Sequence, residues 1–163
     1  MGYDDANLFQ RWLRRFAASG PGSWFFARVA HRIDKPVHRL TKGRHTFATL
    51  VSGLPVVMLT TTGAKSGKPR SVPVLAMPVD EGLAVIASNY GQEHNPGWYY
   101  NLRANPEGEW SWRDDQSRFR AVEVDGERRR QIWQTAVKIY PGFNVYEKRA
   151  AHRHIHVFVL ERV

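Results

Sequence analysis

Between Leu54 and Val79 two runs of mostly β-branched and aliphatic residues, LPVVMLTTT and RSVPVLAMPV, flank the turn GAKSGKP. Such runs are too short for a stable amphipathic helix, so they are expected to form strands Leu54–Thr62 and Arg70–Val79 of one hairpin. Pro73 and Pro78 would confine the second strand to an edge or a bulge, because proline cannot donate to a ladder. Asp80-Glu81-Gly82 turns the chain into a third strand, Leu83–Ser88. Further strands are expected around Glu107–Trp112, Ser117–Val124 and Ile155–Leu160.

Helical patterning interrupts these strands. Asn95-Pro96 opens a helix with proline at its first position, carrying Trp98, Tyr99, Tyr100, Leu102 and Arg103, and Asn105-Pro106 ends it. Asp125 caps a helix through Ile132, Trp133, Val137 and Tyr140, and Pro141-Gly142 breaks it before a short Val145–Ala150 segment. Short antiparallel strands with a few helices predict an α+β fold whose sheet curls into a small barrel over residues 46–163. Residues 1–45 read as a helical extension. Leu8, Phe9, Trp12, Leu13 and Phe16 recur at helical spacing after Asp4 and Asp5, a second helix runs from Trp24 to Ile33, and residues 37–53 form a connector.

The 163 residues suffice for one core without staples, and the absence of cysteine excludes disulfides, thiolate metal sites and a catalytic thiol. No apolar run approaches the length that spans a bilayer and no signal peptide is evident, so a cytoplasmic, soluble or peripheral protein is expected. Of the net charge of +9, residues 1–45 supply +6, from nine basic and three acidic side chains. Phe9, Trp12 and Phe16 beside Arg11, Arg14 and Arg15 suit an anionic bilayer surface, or else a helix packed on its own barrel with a solvated basic face. Nucleic acid is not expected as a partner, because no recognition motif accompanies the charge.

The stretch TTTGAKSGKPR, Thr60 to Arg70, carries the strongest chemical signal. Its glycines permit close approach, successive amides can point at one anion, and Lys65, Lys68, Arg70 and the Ser66 hydroxyl add charge and donors suited to phosphate. The terminal Gly-Lys-Ser/Thr of a Walker loop is missing, and the strand that follows is not the helix of a dinucleotide-binding turn. An ordinary exposed basic hairpin is the alternative. His152, His154 and His156 alternate along an extended segment and would share one face, but they read as a polar edge and no metal is expected.

VVMLTTTGAKSGKPRSVPVLAMPV, VIASNYGQEHNPGWYYNLRANPE, WQTAVKIYPGFNVYEKRA and IHVFVLE, in this order, resemble the deazaflavin-dependent nitroreductase family of actinobacteria over residues 54–161. The resemblance implies a split β-barrel that binds coenzyme F-420, a deazaflavin, and uses its reduced form to reduce quinones and, adventitiously, some nitroaromatic drugs. It implies cofactor contacts at Thr61 and Thr62, at the phosphate motif Gly63, Lys65, Ser66, Gly67 and Arg70 with Lys68 and Pro69 between, at Ala87, Ser88 and Asn89 beside the ring, and at Asn95, Pro96, Trp98, Tyr99 and Asn101 on the covering helix. Tyr140 and Tyr146 match aromatic positions around the acceptor pocket. Phe143 and Leu75 stand where a nitroreducing relative has tyrosines, so acceptor choice is expected to differ.

Since a deazaflavin carries hydride itself, the protein needs to bind, orient and polarise, with Ser88 and Tyr140 the candidate catalytic hydroxyls and Leu75, Phe143 and Tyr146 lining the acceptor site. The expected activity is hydride transfer from reduced coenzyme F-420 to a quinone-like or other electron-poor acceptor, by a monomer or homodimer. A non-catalytic barrel that binds the deazaflavin, a flavin or a lipid is the alternative. A flavin- or haem-using split-barrel protein is a third reading.

Overall fold

The computed structural model describes residues 54–112 and 115–163; the helices expected within residues 1–45 and the connector 37–53 lie outside them. Six strands appear in chain order, β1 (Val56–Thr62), β2 (Pro69–Val79), β3 (Gly82–Ile86), β4 (Glu107–Trp112), β5 (Asp115–Val124) and β6 (Val157–Arg162). They close into an antiparallel barrel in the spatial order β1-β2-β3-β6-β5-β4, with β4 returning to β1. Three α-helices decorate it: α1 (Gly97–Ala104) between β3 and β4, then α2 (Gly126–Ile139) and α3 (Gly142–Arg149) between β5 and β6.

The two prolines of β2 are accommodated by a change of partner. Residues 69–75 pair with β1 and residues 76–79 with β3, so Pro73 opposes Met58 and Pro78 opposes Leu83. Each proline thus sits where the strand is laddered on one side, and its missing N–H can fall on the other. β2 is therefore an edge locally at both prolines while the barrel as a whole has none. The helix after Asn95-Pro96 begins one residue later than expected: Pro96 has φ −65° and ψ 154° and stands at the N-cap of α1. The short segment foreseen at Val145–Ala150 is a two-turn helix that starts at Gly142.

Period-two alternation divides the apolar side chains between two cores. Val57, Leu59, Val74, Ala76, Leu83, Val85, Trp110, Phe119, Phe158 and Leu160 fill the barrel interior, which Trp98 and Leu102 of α1 close at one end. The opposite faces of the same strands, through Met77, Ala84, Ile86, Val157 and Val159, pack on Ile132, Trp133 and Ala136 of α2 and on Phe143 and Tyr146 of α3. The helices thus attach to the outer face of β2, β3 and β6. The connection leading into α1 and the segment that follows α3 stand beside the end of β3.

Candidate cofactor and acceptor site

The turn between β1 and β2 is a compact loop held largely by its own backbone. Gly63 N–H donates to the Lys68 carbonyl at 2.9 Å, and the Ser66 and Gly67 amides donate to the Gly63 carbonyl at 3.2 and 2.8 Å. Gly67 has φ +62°, a left-handed conformation that glycine adopts without strain. A Cβ on Gly63 would lie 2.6 Å from Ser66 Oγ, so a side chain there would displace that hydroxyl from its place in the loop. The Ala64 amide is held from outside, by Asn101 Oδ1 at 2.9 Å.

The loop therefore departs from the picture of successive free amides offered to one anion. With Gly63, Ala64, Ser66, Gly67 and Lys68 already donating, Lys65 N–H is the loop amide without an acceptor among the described residues. The side chains take over the task. Ser66 Oγ accepts from the Lys68 amide at 3.3 Å and from Arg70 Nη2 at 3.4 Å, which leaves its own proton for a further acceptor. Lys65, Lys68 and Arg70 are all exposed around it. Three cations and a hydroxyl on a preformed, glycine-dependent loop are a donor set that fits a phosphate group.

Helix α1 anchors this loop to the rest of the site. Asn101 Nδ2 donates to Thr61 Oγ1 at 2.9 Å while its oxygen holds Ala64, so one side chain fixes both the end of β1 and the loop that follows. The far end of α1 is held by Arg103, which reaches Glu123 of β5 at 3.0 Å, and His156 Nδ1 meets the same carboxylate at 2.5 Å. Burial pushes the Glu123 carboxyl up, but these two partners outweigh it and hold it below its usual value. Tyr99 lies against the His156 ring with centroids 4.5 Å apart, and Trp98 is buried edge-on to Phe158. Of the expected covering residues, Asn101 thus borders the loop, Tyr99 sits on His156, and Trp98 belongs to the barrel core.

The end of β3 forms a second structural centre. Ala87 and Ser88 are buried, and Asn89 and Tyr90 follow with φ 46° and 57°, two consecutive non-glycine residues in the left-handed region. Asn89 Nδ2 donates to the His94 carbonyl at 2.8 Å. Arg153, just before β6, spans this whole turn: it donates to the carbonyls of Ser88 at 2.8 Å, Gln92 at 3.0 Å and Ala87 at 3.3 Å, and to Asn95 Oδ1 at 2.6 Å. Partial burial lowers the pKa of its guanidinium, against the opposing influence of Tyr100. Sequence reasoning missed Arg153, because its partners lie 58 to 66 positions away and the alternating histidines around it drew the reading to themselves.

Beyond this turn lies an aromatic cluster. Tyr140 and Tyr146 are buried, with their phenol oxygens 2.9 Å apart. Phe143 is 3% exposed, packs edge-on against both and lies tilted against Trp133. Leu75 is partly buried on the same cluster, and Tyr90 meets Tyr146 with centroids 5.8 Å apart. A Cβ on Gly142 would lie 2.3 Å from Tyr140 Cζ, so glycine at the start of α3 lets the Tyr140 ring lie across it. Burial and the neighbouring Tyr140 push the Tyr146 phenol well above the ordinary value of a tyrosine.

The histidines do not gather. His152 Nε2 faces the Glu93 carbonyl at 3.4 Å, while His154 and His156 lie edge to face with centroids 4.9 Å apart. Among the described residues no group of three or more His, Cys, Asp or Glu side chains is arranged to hold a metal ion.

The profile of the F420H(2)-dependent quinone reductase family matches residues 30–162. An F420H(2)-dependent quinone reductase of Mycobacterium tuberculosis is 35% identical over 79 residues, covering 48% of this chain and 52% of that relative, so the alignment spans about half of the relative's length. Among solved structures, an F420-H2 dependent reductase is 39% identical, covering 66% of this chain and 94% of its own, with a TM-score of 0.60. A second, described as a domain-swapped dimer, is 33% identical over 87% of this chain and 100% of its own, with a TM-score of 0.63.

Proposed function

The chain belongs to the F420H(2)-dependent quinone reductase family, and on that premise we propose how its own residues divide the reaction. It is an oxidoreductase of split-barrel type that uses reduced coenzyme F-420 and acts on a quinone-like acceptor. When bound, the deazaflavin supplies the hydride; the protein binds, orients and polarises.

In this reading Lys65, Lys68, Arg70, the Ser66 hydroxyl and the Lys65 amide hold the phosphate, with Thr61, Thr62, Gly63, Gly67 and Pro69 shaping the loop. The ring borders Ala87, Ser88 and Asn89. Asn95, Pro96 and Asn101 act by fixing the helix that joins the two regions, and Trp98 and Tyr99 support that helix from the barrel side. The acceptor meets Leu75, Phe143 and Tyr146, while Tyr140 and Ser88 offer hydroxyls where negative charge develops on a reduced oxygen. Both phenols are neutral at neutral pH, so the pair can place one hydroxyl proton between its oxygens and offer the other to an acceptor.

One observation carries this assignment. Loop 63–70, Asn101, α1, Asn95, Arg153, the Ser88–Tyr90 turn and Tyr146 form an unbroken path of contacts. That continuity supports a reading in which the groups assigned to phosphate, ring and acceptor serve one bound cofactor and its acceptor. The test is titration of the purified protein with coenzyme F-420, FMN and haem side by side, followed by menadione-dependent oxidation of the reduced deazaflavin. Tight FMN or haem binding without deazaflavin binding overturns the reading, and deazaflavin binding without turnover supports the non-catalytic alternative.

No helix among the described residues is long and apolar enough to cross a membrane. The aromatic and basic residues of 1–45 support a cytoplasmic protein in peripheral contact with an anionic membrane face, where a quinone also partitions. Deleting residues 1–40 should then abolish sedimentation with anionic vesicles and leave reduction of a water-soluble quinone intact. Loss of both would assign those residues to the fold instead.

A further inference from the structure

Asn89 and Tyr90 occupy the left-handed region consecutively, with φ 46° and 57°. The left-handed region is strained for a bulky residue such as tyrosine, and a strained turn persists only where its surroundings over-determine it. Arg153 supplies much of that determination. Its guanidinium takes the Ala87 and Ser88 carbonyls before the strained pair and the Gln92 carbonyl and Asn95 side chain after it. It also reaches the His154 carbonyl, at 3.4 Å. A planar fork with five donors is suited to hold several oxygens at once, where an ammonium would act as a point charge.

The location gives this clamp a consequence. The carbonyls it holds belong to residues 87 and 88, which border the ring in the function proposed above, and the turn it braces carries Tyr90 onto Tyr146. Through Asn95 the same guanidinium fixes the entry to α1, whose Asn101 holds the phosphate loop. Arg153 itself hangs from the end of α3, its amide donating to the Ala150 carbonyl at 2.9 Å.

We infer that Arg153 is a positioning residue that holds the strained Ser88–Tyr90 turn in register with the acceptor tyrosines, and so governs hydride transfer more than cofactor affinity. The catalytic consequence rests on the assignment of residues 87–89 to the ring. The clamp itself does not. Losing Arg153 frees the turn to relax out of its strained conformation while the phosphate loop, held by its own backbone and by Asn101, keeps its shape.

The test is Arg153→Met, read by amide hydrogen exchange, by fluorescence titration with coenzyme F-420 and by steady-state kinetics with menadione. Exchange over residues 88–95 is expected to rise by roughly tenfold or more, with residues 61–70 unchanged. The catalytic constant should fall about tenfold while the dissociation constant moves less than about threefold. Arg153→Lys should recover only part of the loss, since it keeps the charge and not the fork. Unchanged exchange over 88–95, an unchanged catalytic constant, or full recovery by lysine would each overturn the inference. Should Arg153→Met fail to fold, Asn95→Ala removes the 2.6 Å contact and leaves the arginine; it should raise exchange over the same segment, and no rise overturns the clamp. Wild-type protein that binds no coenzyme F-420 would refute the ring assignment, while the exchange readings still decide the clamp.

Discussion

Asn101 and Thr61 are joined across 40 positions of sequence by a 2.9 Å hydrogen bond from the carboxamide to a hydroxyl buried at the end of β1. The other end of the same carboxamide accepts the Ala64 amide. Replacing Asn101 with Leu leaves a buried hydroxyl and a loop amide without that partner, which should lower stability by about 1–3 kcal/mol. Urea denaturation checks this. Coenzyme F-420 affinity should fall together with stability, because the residue shapes the loop rather than touching phosphate.

Arg70 is exposed, so its substitution separates charge from architecture. Arg70→Ala should leave the urea midpoint nearly unchanged and weaken coenzyme F-420 binding by the ~1.5–3 kcal/mol of a charge-assisted hydrogen bond, a difference that high salt reduces. Fluorescence titration at two ionic strengths measures both. An unchanged dissociation constant would remove Arg70 from the site.

The Tyr140–Tyr146 pair predicts alkaline behaviour. Because folding raises the Tyr146 pKa above its unfolded value of about 10, the neutral phenol is favoured in the native state. The contribution of this group to stability is complete below pH ~10 and is lost as pH rises beyond it, when the unfolded chain ionises first. Phenolate absorbance from this site should therefore appear together with unfolding, and Tyr146→Phe should flatten the fall in stability above pH ~10. Ionisation of Tyr146 well before unfolding would contradict its burial.

Acceptor choice should follow the apolar positions 75 and 143. A bicyclic nitroimidazole is expected to be turned over poorly compared with menadione, since each hydrogen-bond donor missing from a nitro site costs about 1–3 kcal/mol. Phe143 packs between Trp133, Tyr140 and Tyr146, so Phe143→Tyr places a new hydroxyl beside the existing phenols. Nitro turnover should rise in that variant with little change for menadione. Equal nitro turnover by the native protein and the variant would show that these positions do not set specificity.

Most of the barrel was legible because its signals are local. The continuous β-branched and aliphatic runs Val56–Thr62 and Val157–Leu160, the Asp80-Glu81-Gly82 turn and the Asp125 cap each depend on neighbours within a few residues. Asp125 does accept the Gly126 amide, at 2.8 Å. The partner exchange in β2 was not legible, since Pro73 and Pro78 reveal a missing donor but not the side on which the ladder is absent. Among site residues, the Gly63–Arg70 motif announced itself by composition and resemblance. Arg153 did not, for its acceptors are backbone carbonyls, which every residue carries and no sequence pattern marks. Trp98 and Tyr99 show another limit: an aromatic side chain looks the same in a ligand wall, in a barrel core and against a neighbouring ring until the packing is known.

The strand order has a consequence for how the molecule comes to be made. β6 is the last of the six strands among the described residues, yet it lies between β3 and β5 and is the element that joins the β1-β2-β3 sheet to the β5-β4 ribbon on that side. During synthesis β3 and β5 each wait with one edge unpaired until Val157–Arg162 arrives, and the encounter must then close connections of about seventy residues from β3 and about thirty from β5, a slow step dominated by chain entropy. The nascent chain is thus most exposed to mispairing just before β6 leaves the ribosome, and chaperone dependence should be concentrated in that interval.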